Sequence, residues 1–137
     1  MKLKTRIFDS WSILEWINKR QPACLIVDNL LAESQAGKAA LFMSAINVGE
    51  VYYFIRRVRG LELAERWRNS SHTLPVTIEV PTNNEIWKAA ELKAQFPISY
   101  ADAFAGASAL KHHSPLVTGH PEFKSVTGLQ LDWIDRR

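Results

Sequence analysis

Leu41-Phe42-Met43-Ser44-Ala45-Ile46-Asn47-Val48-Gly49-Glu50-Val51-Tyr52-Tyr53-Phe54-Ile55 passes from a short apolar strand into the clearest helix of the chain. Leu41-Phe42-Met43 reads as the strand. Ser44 starts the helix, and Ile46, Val48, Val51, Tyr52, Phe54, Ile55 and Val58 give it a broad apolar face before Gly60 stops it. The same alternation runs outward in both directions. Upstream, Leu3 to Phe8 reads as a strand ending at Asp9, and Ser10 is expected to cap a helix carrying Trp11, Ile13, Leu14, Trp16 and Ile17. Pro22 breaks that pattern, and Leu25 to Ala36 reads as a weaker helix closed by Gly37. Downstream, Leu61 to Asn69 is a helix with Leu63, Ala64 and Trp67 facing inward, and Val76 to Val80 alternates as a half-solvated strand. Thr82 or Asn83 caps a helix through Gln95, and Ser99 caps an alanine-rich helix through Lys111. Leu116-Val117-Thr118 is a buried strand, and Leu129 to Ile134 alternates again. Strands alternating with helices predict an α/β fold: a mainly parallel sheet with helices on both faces, in one domain over residues 1–137. In such sheets the ligand crevice lies beyond the carboxyl ends of the strands.

Composition narrows the classes. The chain has 137 residues, 47% hydrophobic and 23% charged, which is globular and excludes a disordered chain. No run of eighteen apolar residues is present, so no transmembrane helix and no membrane partner is expected. The basic start Met1-Lys2-Leu3-Lys4-Thr5-Arg6 is followed by too short an apolar stretch for a secretory signal. The one cysteine, Cys24, cannot form an internal disulfide, and a reducing cytoplasm is the expected location. Seventeen Lys and Arg against fourteen Asp and Glu leave a net charge of +3, which permits a polyanionic partner without demonstrating one.

The candidate chemistry sits at the strand ends. Asp9 follows the first strand, Glu50 lies on the helix three residues after Asn47, and Asp102 opens a nearly all-apolar helix. Each has a structural explanation of its own. Asp9 suits a helix start, Glu50 can pair with Arg57, and Ser99-Tyr100-Ala101-Asp102 fits a capping box. Their shared placement points further. Carboxylates gathered without basic partners repel one another, and a hard divalent cation with oxygen ligands, Mg²⁺ or Mn²⁺, resolves that repulsion.

Four segments carry a family resemblance: Ile7-Phe8-Asp9-Ser10, Met43 to Tyr53, Leu92-Lys93-Ala94 leading to Pro97-Ile98-Ser99-Tyr100-Ala101-Asp102-Ala103-Phe104, and Pro115 to Phe123. In this order and spacing the chain resembles the PIN-domain ribonucleases, specifically the VapC-type toxins of bacterial toxin–antitoxin pairs. The resemblance implies an α/β/α sandwich and a Mg²⁺-dependent endoribonuclease that cleaves RNA with metal-activated water. It places the family's acids on Asp9, Glu50 and Asp102, as metal ligands and catalytic groups. The fourth acid falls at position 120, where this chain has His120. An imidazole there would bind the metal, contact phosphate, or mark a weakened enzyme. Glu122 is a substitute carboxylate, but Pro121 restricts the turn beside it and is expected to keep it from the metal.

Ser10, Asn47 and Thr118, with Ser44, suit supporting roles at the acids or at helix and strand ends. Arg56, Arg57 and Arg59 form the densest basic cluster, with Lys93, Lys111, His112 and His113 as further candidates to hold RNA. The resemblance also implies a cognate antitoxin and a toxin homodimer. The competing reading is a catalytically silent PIN-like domain that binds RNA or an antitoxin, favoured by His120. A phosphoacceptor receiver lacks its paired acid and late lysine here, and a haloacid-type phosphatase lacks Asp-x-Asp.

Overall fold

Ile7 and Phe8 show how one sheet serves two cores. Both are fully buried, and successive strand residues point to opposite faces. Phe8 joins Leu41, Met43, Val117, Ile13, Val27, Val51, Ile55 and Trp67, whereas Ile7 joins Leu116, Ala103, Ala105, Ala107, Leu92 and Phe123. The structure, a computed structural model, describes residues 3–135, so the Met1-Lys2 part of the basic start lies outside the described residues.

The elements are β1 (Lys4–Phe8), α1 (Ser10–Ile17), α2 (Ala23–Gln35), β2 (Ala39–Ser44), α3 (Ala45–Arg59), α4 (Leu61–Ser70), β3 (Thr77–Glu79), α5 (Asn83–Gln95), α6 (Tyr100–His112), β4 (Leu116–Thr118) and β5 (Leu131–Trp133). A 3₁₀ turn at Pro121–Ser125 joins β4 to β5. The five strands lie in the order β3-β2-β1-β4-β5 and every neighbouring pair is parallel. Parallel neighbours require crossovers, and crossovers are right-handed. The chain walks outward from β1 to β3 and then crosses back to β4. That reversal puts α1–α4 over one face and α5 and α6 over the other, the three-layer α/β/α arrangement. It also opens a switch-point crevice between the carboxyl ends of β1 and β4.

The outer strands are shorter than their sequence patterns. Val76 to Val80 pairs only over Thr77–Glu79, against Phe42 to Ser44 of β2. Leu129 to Ile134 pairs only over Leu131–Trp133, and Leu129 instead packs on α6 near Gly106. An edge strand has one neighbour, so pairing stops where that neighbour turns away.

The broad apolar face expected on α3 is only half used. Val51 and Ile55 are buried and Val48 and Tyr52 pack partly against the core, but Ile46, Phe54 and Val58 are exposed, as is Tyr53. The sheet covers one side of the helix, and seven apolar positions wrap further round than one side. At Gly60 the backbone turns sharply with φ +100°, a conformation that favours glycine, and α4 starts at once.

Gly119 follows β4 for a steric reason. A Cβ there would fall inside 3.0 Å of the Trp11 ring and of the Asp135 side chain. Gly119→Ala is therefore expected to cost about 2 kcal/mol or more, since overpacking forces shifts in a close-packed site. Thermal unfolding of the variant checks this, and an unchanged melting temperature would contradict the packing.

Candidate active site

Asp9 is fully buried where β1 ends, and its backbone is extended. It, rather than Ser10, caps α1: its Oδ1 accepts the Ser12 amide at 2.8 Å. Ser10 is the first helical residue, and its Oγ donates to the Asn47 carbonyl at 3.2 Å. The second Asp9 oxygen accepts from Thr118 Oγ1 at 2.5 Å, so the end of β4 fixes the carboxylate at the end of β1. Burial pushes the Asp9 pKa up to about 6, against the hydrogen bonds from Thr118 and Ser12, which lower it.

Asn47 ties the helix starts together. It is fully buried on the first turn of α3, whose N-terminus Ser44 caps by accepting the Ile46 amide. Asn47 takes the Ser10 hydroxyl on its carbonyl, and its Nδ2 donates to the Ala101 carbonyl at 3.0 Å. One residue thus links the segment after Asp9 to the segment before Asp102. Asn47→Ala is expected to destabilise the protein by about 1–3 kcal/mol, because the fully buried Asn47 side chain and its hydrogen bond to Ala101 are lost. Chemical denaturation measures this, and a variant as stable as the parent would show that the tie carries no energy.

Asp102 lies in the first turn of α6, capped by Ser99 Oγ, which accepts its amide at 3.1 Å. Only half of the expected capping box forms: Ser99 caps the Asp102 amide, but its own amide donates to Glu122 rather than to the Asp102 carboxyl. That carboxyl is buried, and its Oδ2 receives no hydrogen bond. Its pKa rises to about 8, first through burial and then through Asp9, Glu122 and Glu50. Thr118 binds both the Asp9 carboxylate and the His120 amide, and His120 Nδ1 lies 2.9 Å from Asp102, so Asp9 and Asp102 stand at one edge of the sheet.

Glu50 is buried on α3, and Tyr53 Oη donates to its Oε2 at 3.2 Å. The expected partner, Arg57, lies instead over the Tyr53 ring at 5.4 Å. Burial and the Glu50 and Asp102 charges push the Tyr53 hydroxyl pKa up. Tyr53 was not singled out from the sequence; its position three residues after Glu50 is the signal that could have found it.

His120 completes the edge. Its amide donates to Thr118 Oγ1 at 3.0 Å, and its Nδ1 lies 2.9 Å from Asp102 Oδ2, an ion pair when the ring is protonated. Pro121 then opens the 3₁₀ turn, which swings Glu122 back toward Ser99, whose amide donates to Glu122 Oε2 at 3.4 Å. Glu122 is thereby brought to the edge that carries Asp102. The restriction at Pro121 aims Glu122 at the site, and donor atoms of Asp102, His120 and Glu122 lie within 4.8 Å of one another. The orphaned Asp102 oxygen and the acid-rich donor set fit a divalent cation.

The basic residues divide. Arg57 stands beside Tyr53 at the rim of this edge, whereas Arg56 donates to the Tyr52 hydroxyl and Arg59 to Asn18 at the end of α1. Lys111 pairs with Glu79 and Glu85, and His112 lies 2.6 Å from Glu79, so both are engaged away from the acids.

A parallel α/β/α fold with clustered carboxyls at its switch point defines a class, and the sequence agrees: residues 7–129 match the PIN domain, and the chain belongs to that family. Its likeness to solved structures runs over nearly the whole chain. VapBC2 from Rickettsia felis, bound to a DNA fragment from its promoter, is 15% identical with a TM-score of 0.72, covering 96% of this chain and 99% of that one. VapC20 of Mycobacterium tuberculosis, a sarcin-ricin loop cleaving toxin, is 17% identical with a TM-score of 0.71, covering 90% and 95%. VapBC-1 from nontypeable Haemophilus influenzae is 22% identical with a TM-score of 0.66, covering 94% and 97%. No curated protein matches the sequence. Among the described residues, no helix is long and apolar enough to cross a membrane.

Proposed function

We propose that this protein is a divalent-cation-dependent endoribonuclease acting as the toxin of a toxin–antitoxin pair. The observation that supports the reading is the chain of contacts from Asp9 through Thr118 and His120 to Asp102, with no lysine or arginine paired to Asp9, Glu50 or Asp102 among the described residues. Such a cluster is costly to leave ionised and well suited to hold Mg²⁺ or Mn²⁺. When bound, the cation supplies an activated water and offsets charge on the phosphate.

The residues divide the work. Asp9 and Asp102 hold the cation, and Thr118 and Ser12 keep Asp9 aimed. Glu50 takes the proton of the attacking water, and Tyr53 orients its carboxylate. Ser10 and Asn47 keep the three helix starts in register. Arg57 contacts an RNA phosphate at the rim, with Arg56 and Arg59 extending the basic surface along α3.

An antitoxin partner is supported by neighbours that are themselves toxin–antitoxin complexes, including one from Klebsiella pneumoniae. The apolar groove of about 280 Å³ between α1 and α4, lined by Trp16, Ile17, Leu63, Trp67 and Leu74, suits such a partner. The exposed row Ile46, Phe54 and Val58 suits a second copy. Induced expression in a bacterial host tests the biological half of the proposal. Growth should stop with the parent chain and continue with Asp9→Asn. Arrest by both would remove the cluster from the account, and arrest by neither would favour the silent-domain reading.

A further inference from the structure

We infer that Asp102, His120 and Glu122 form a mixed nitrogen–oxygen cation site, with His120 Nδ1 bonded directly to the ion, and that this site favours Mn²⁺ over Mg²⁺ more strongly than carboxylates alone would. The inference rests on the proposed cation-dependent function and adds His120 and Glu122 to the Asp9 and Asp102 ligands proposed for that same site.

Three observations place the ligands. Asp9 is fixed at the edge through both carboxyl oxygens, one accepting from the Ser12 amide and one from the Thr118 hydroxyl, and each keeps a lone pair for the ion. Asp102 Oδ2 is buried, pointed at the same edge and without a hydrogen bond. His120 Nδ1 sits 2.9 Å from that oxygen. Two ligand atoms at right angles on one ion, each about 2.1 Å from it, stand about 3 Å apart. The nitrogen and oxygen therefore have the separation of two adjacent corners of one coordination shell. Glu122 brings a third donor within 4.8 Å of both. The turn that carries it is set by Pro121 and by the His120 amide on Thr118.

Chemistry then selects the ion. Mg²⁺ takes oxygen ligands and keeps its waters, whereas first-row transition ions accept imidazole. A histidine where the resemblance led one to expect an acid is, on this reading, a change of metal preference rather than a loss of site.

The test is pulsed electron paramagnetic resonance on the full-length protein loaded with Mn²⁺, alongside calorimetric titration with Mn²⁺ and Mg²⁺. The expected spectrum carries the ¹⁴N modulation of one directly bound imidazole, and His120→Asp removes it. His120→Asp should also lower the ratio of Mn²⁺ to Mg²⁺ affinity at least tenfold, and Glu122→Gln should weaken Mn²⁺ at least tenfold. Absence of ¹⁴N modulation in the parent protein, or its persistence in His120→Asp, overturns the inference. Either result leaves the nuclease proposal to be judged on RNA cleavage. Nitrogen-bound Mn²⁺ without cleavage would sink that proposal and leave this site standing.

Discussion

Asp102→Asn should reduce cation-dependent RNA cleavage by at least a hundredfold while leaving the fold intact. Asparagine keeps the size of the side chain and the backbone cap made by Ser99, because the cap uses the Asp102 amide and not its carboxyl. What it removes is a charge at the point where Asp9, Glu50 and Glu122 already converge. A cation that offsets negative charge on a phosphate is worth several kcal/mol to the reaction, and a hundredfold corresponds to about 2.7 kcal/mol. Steady-state cleavage of a labelled RNA, with circular dichroism to confirm the fold, measures both halves. A variant as active as its parent would leave Asp102 as a helix-start residue and nothing more.

The same charges set a second large effect, on stability. Asp9 and Asp102 titrate above the ordinary carboxylate range in the folded protein, at about 6 and about 8. In the unfolded chain they release their protons near pH 3.8. Between those values the unfolded state binds fewer protons, so folding weakens as pH rises. The contribution is fully present below about pH 4 and is lost through pH 6 for Asp9 and through pH 8 for Asp102. For Asp9 alone the shift amounts to about 3 kcal/mol. Glu85, capping α5 and paired with Lys111, is shifted the other way, so its contribution is lost only in acid. In EDTA the melting temperature should therefore be several degrees lower at pH 8 than at pH 5, by the usual scaling of a few degrees per kcal/mol. Asp102→Asn should flatten that slope and be the more stable protein at pH 8. Saturating Mn²⁺ should raise the parent's melting temperature more at pH 8 than at pH 5, because Asp9 is ionised and Asp102 half ionised there and the ion competes with fewer protons. A parent protein equally stable at both pH values in EDTA would contradict the burial of these charges.

Much of this arrangement was legible in the chain because its two signals are local. Buried parallel strands read as short apolar runs, and Leu41-Phe42-Met43 and Leu116-Val117-Thr118 fall where such runs predict. Helix starts announce themselves by caps, as at Ser44, Thr82 and Ser99. Asp9 and Asp102 stand out because each lies where a strand ends or a helix begins, whereas Glu50, in the second turn of α3, is marked only by its spacing from Asn47. Other features depend on partners distant in sequence. Whether Asp9 or Ser10 caps α1 turns on where the helix can begin once Thr118, 109 residues away, holds the Asp9 carboxylate. The outer half of α3 reads as core from its own residues, and only the extent of the sheet shows that Phe54 and Val58 face out. Glu122 was set aside for a sound local reason, and the turn at Pro121 reversed its sense. Asn47 gave no sign in one dimension that it joins Ser10 to Ala101.

The most direct measurement of the central claim is end-group analysis of RNA incubated with the purified chain, in Mn²⁺, in Mg²⁺ and in EDTA, with Asp9→Asn and Asp102→Asn as controls. Attack by an activated water breaks the phosphodiester hydrolytically and leaves an open phosphate on one fragment and a hydroxyl on the other. Attack by the neighbouring ribose 2′-hydroxyl, which needs no cation, leaves a cyclic phosphate. The expected result is cation-dependent fragments with open phosphate ends, absent in EDTA and in both variants. Fragments with cyclic ends, fragments that persist in EDTA, or no fragments with either cation would contradict the assignment of Asp9, Glu50 and Asp102 as a hydrolytic cation centre.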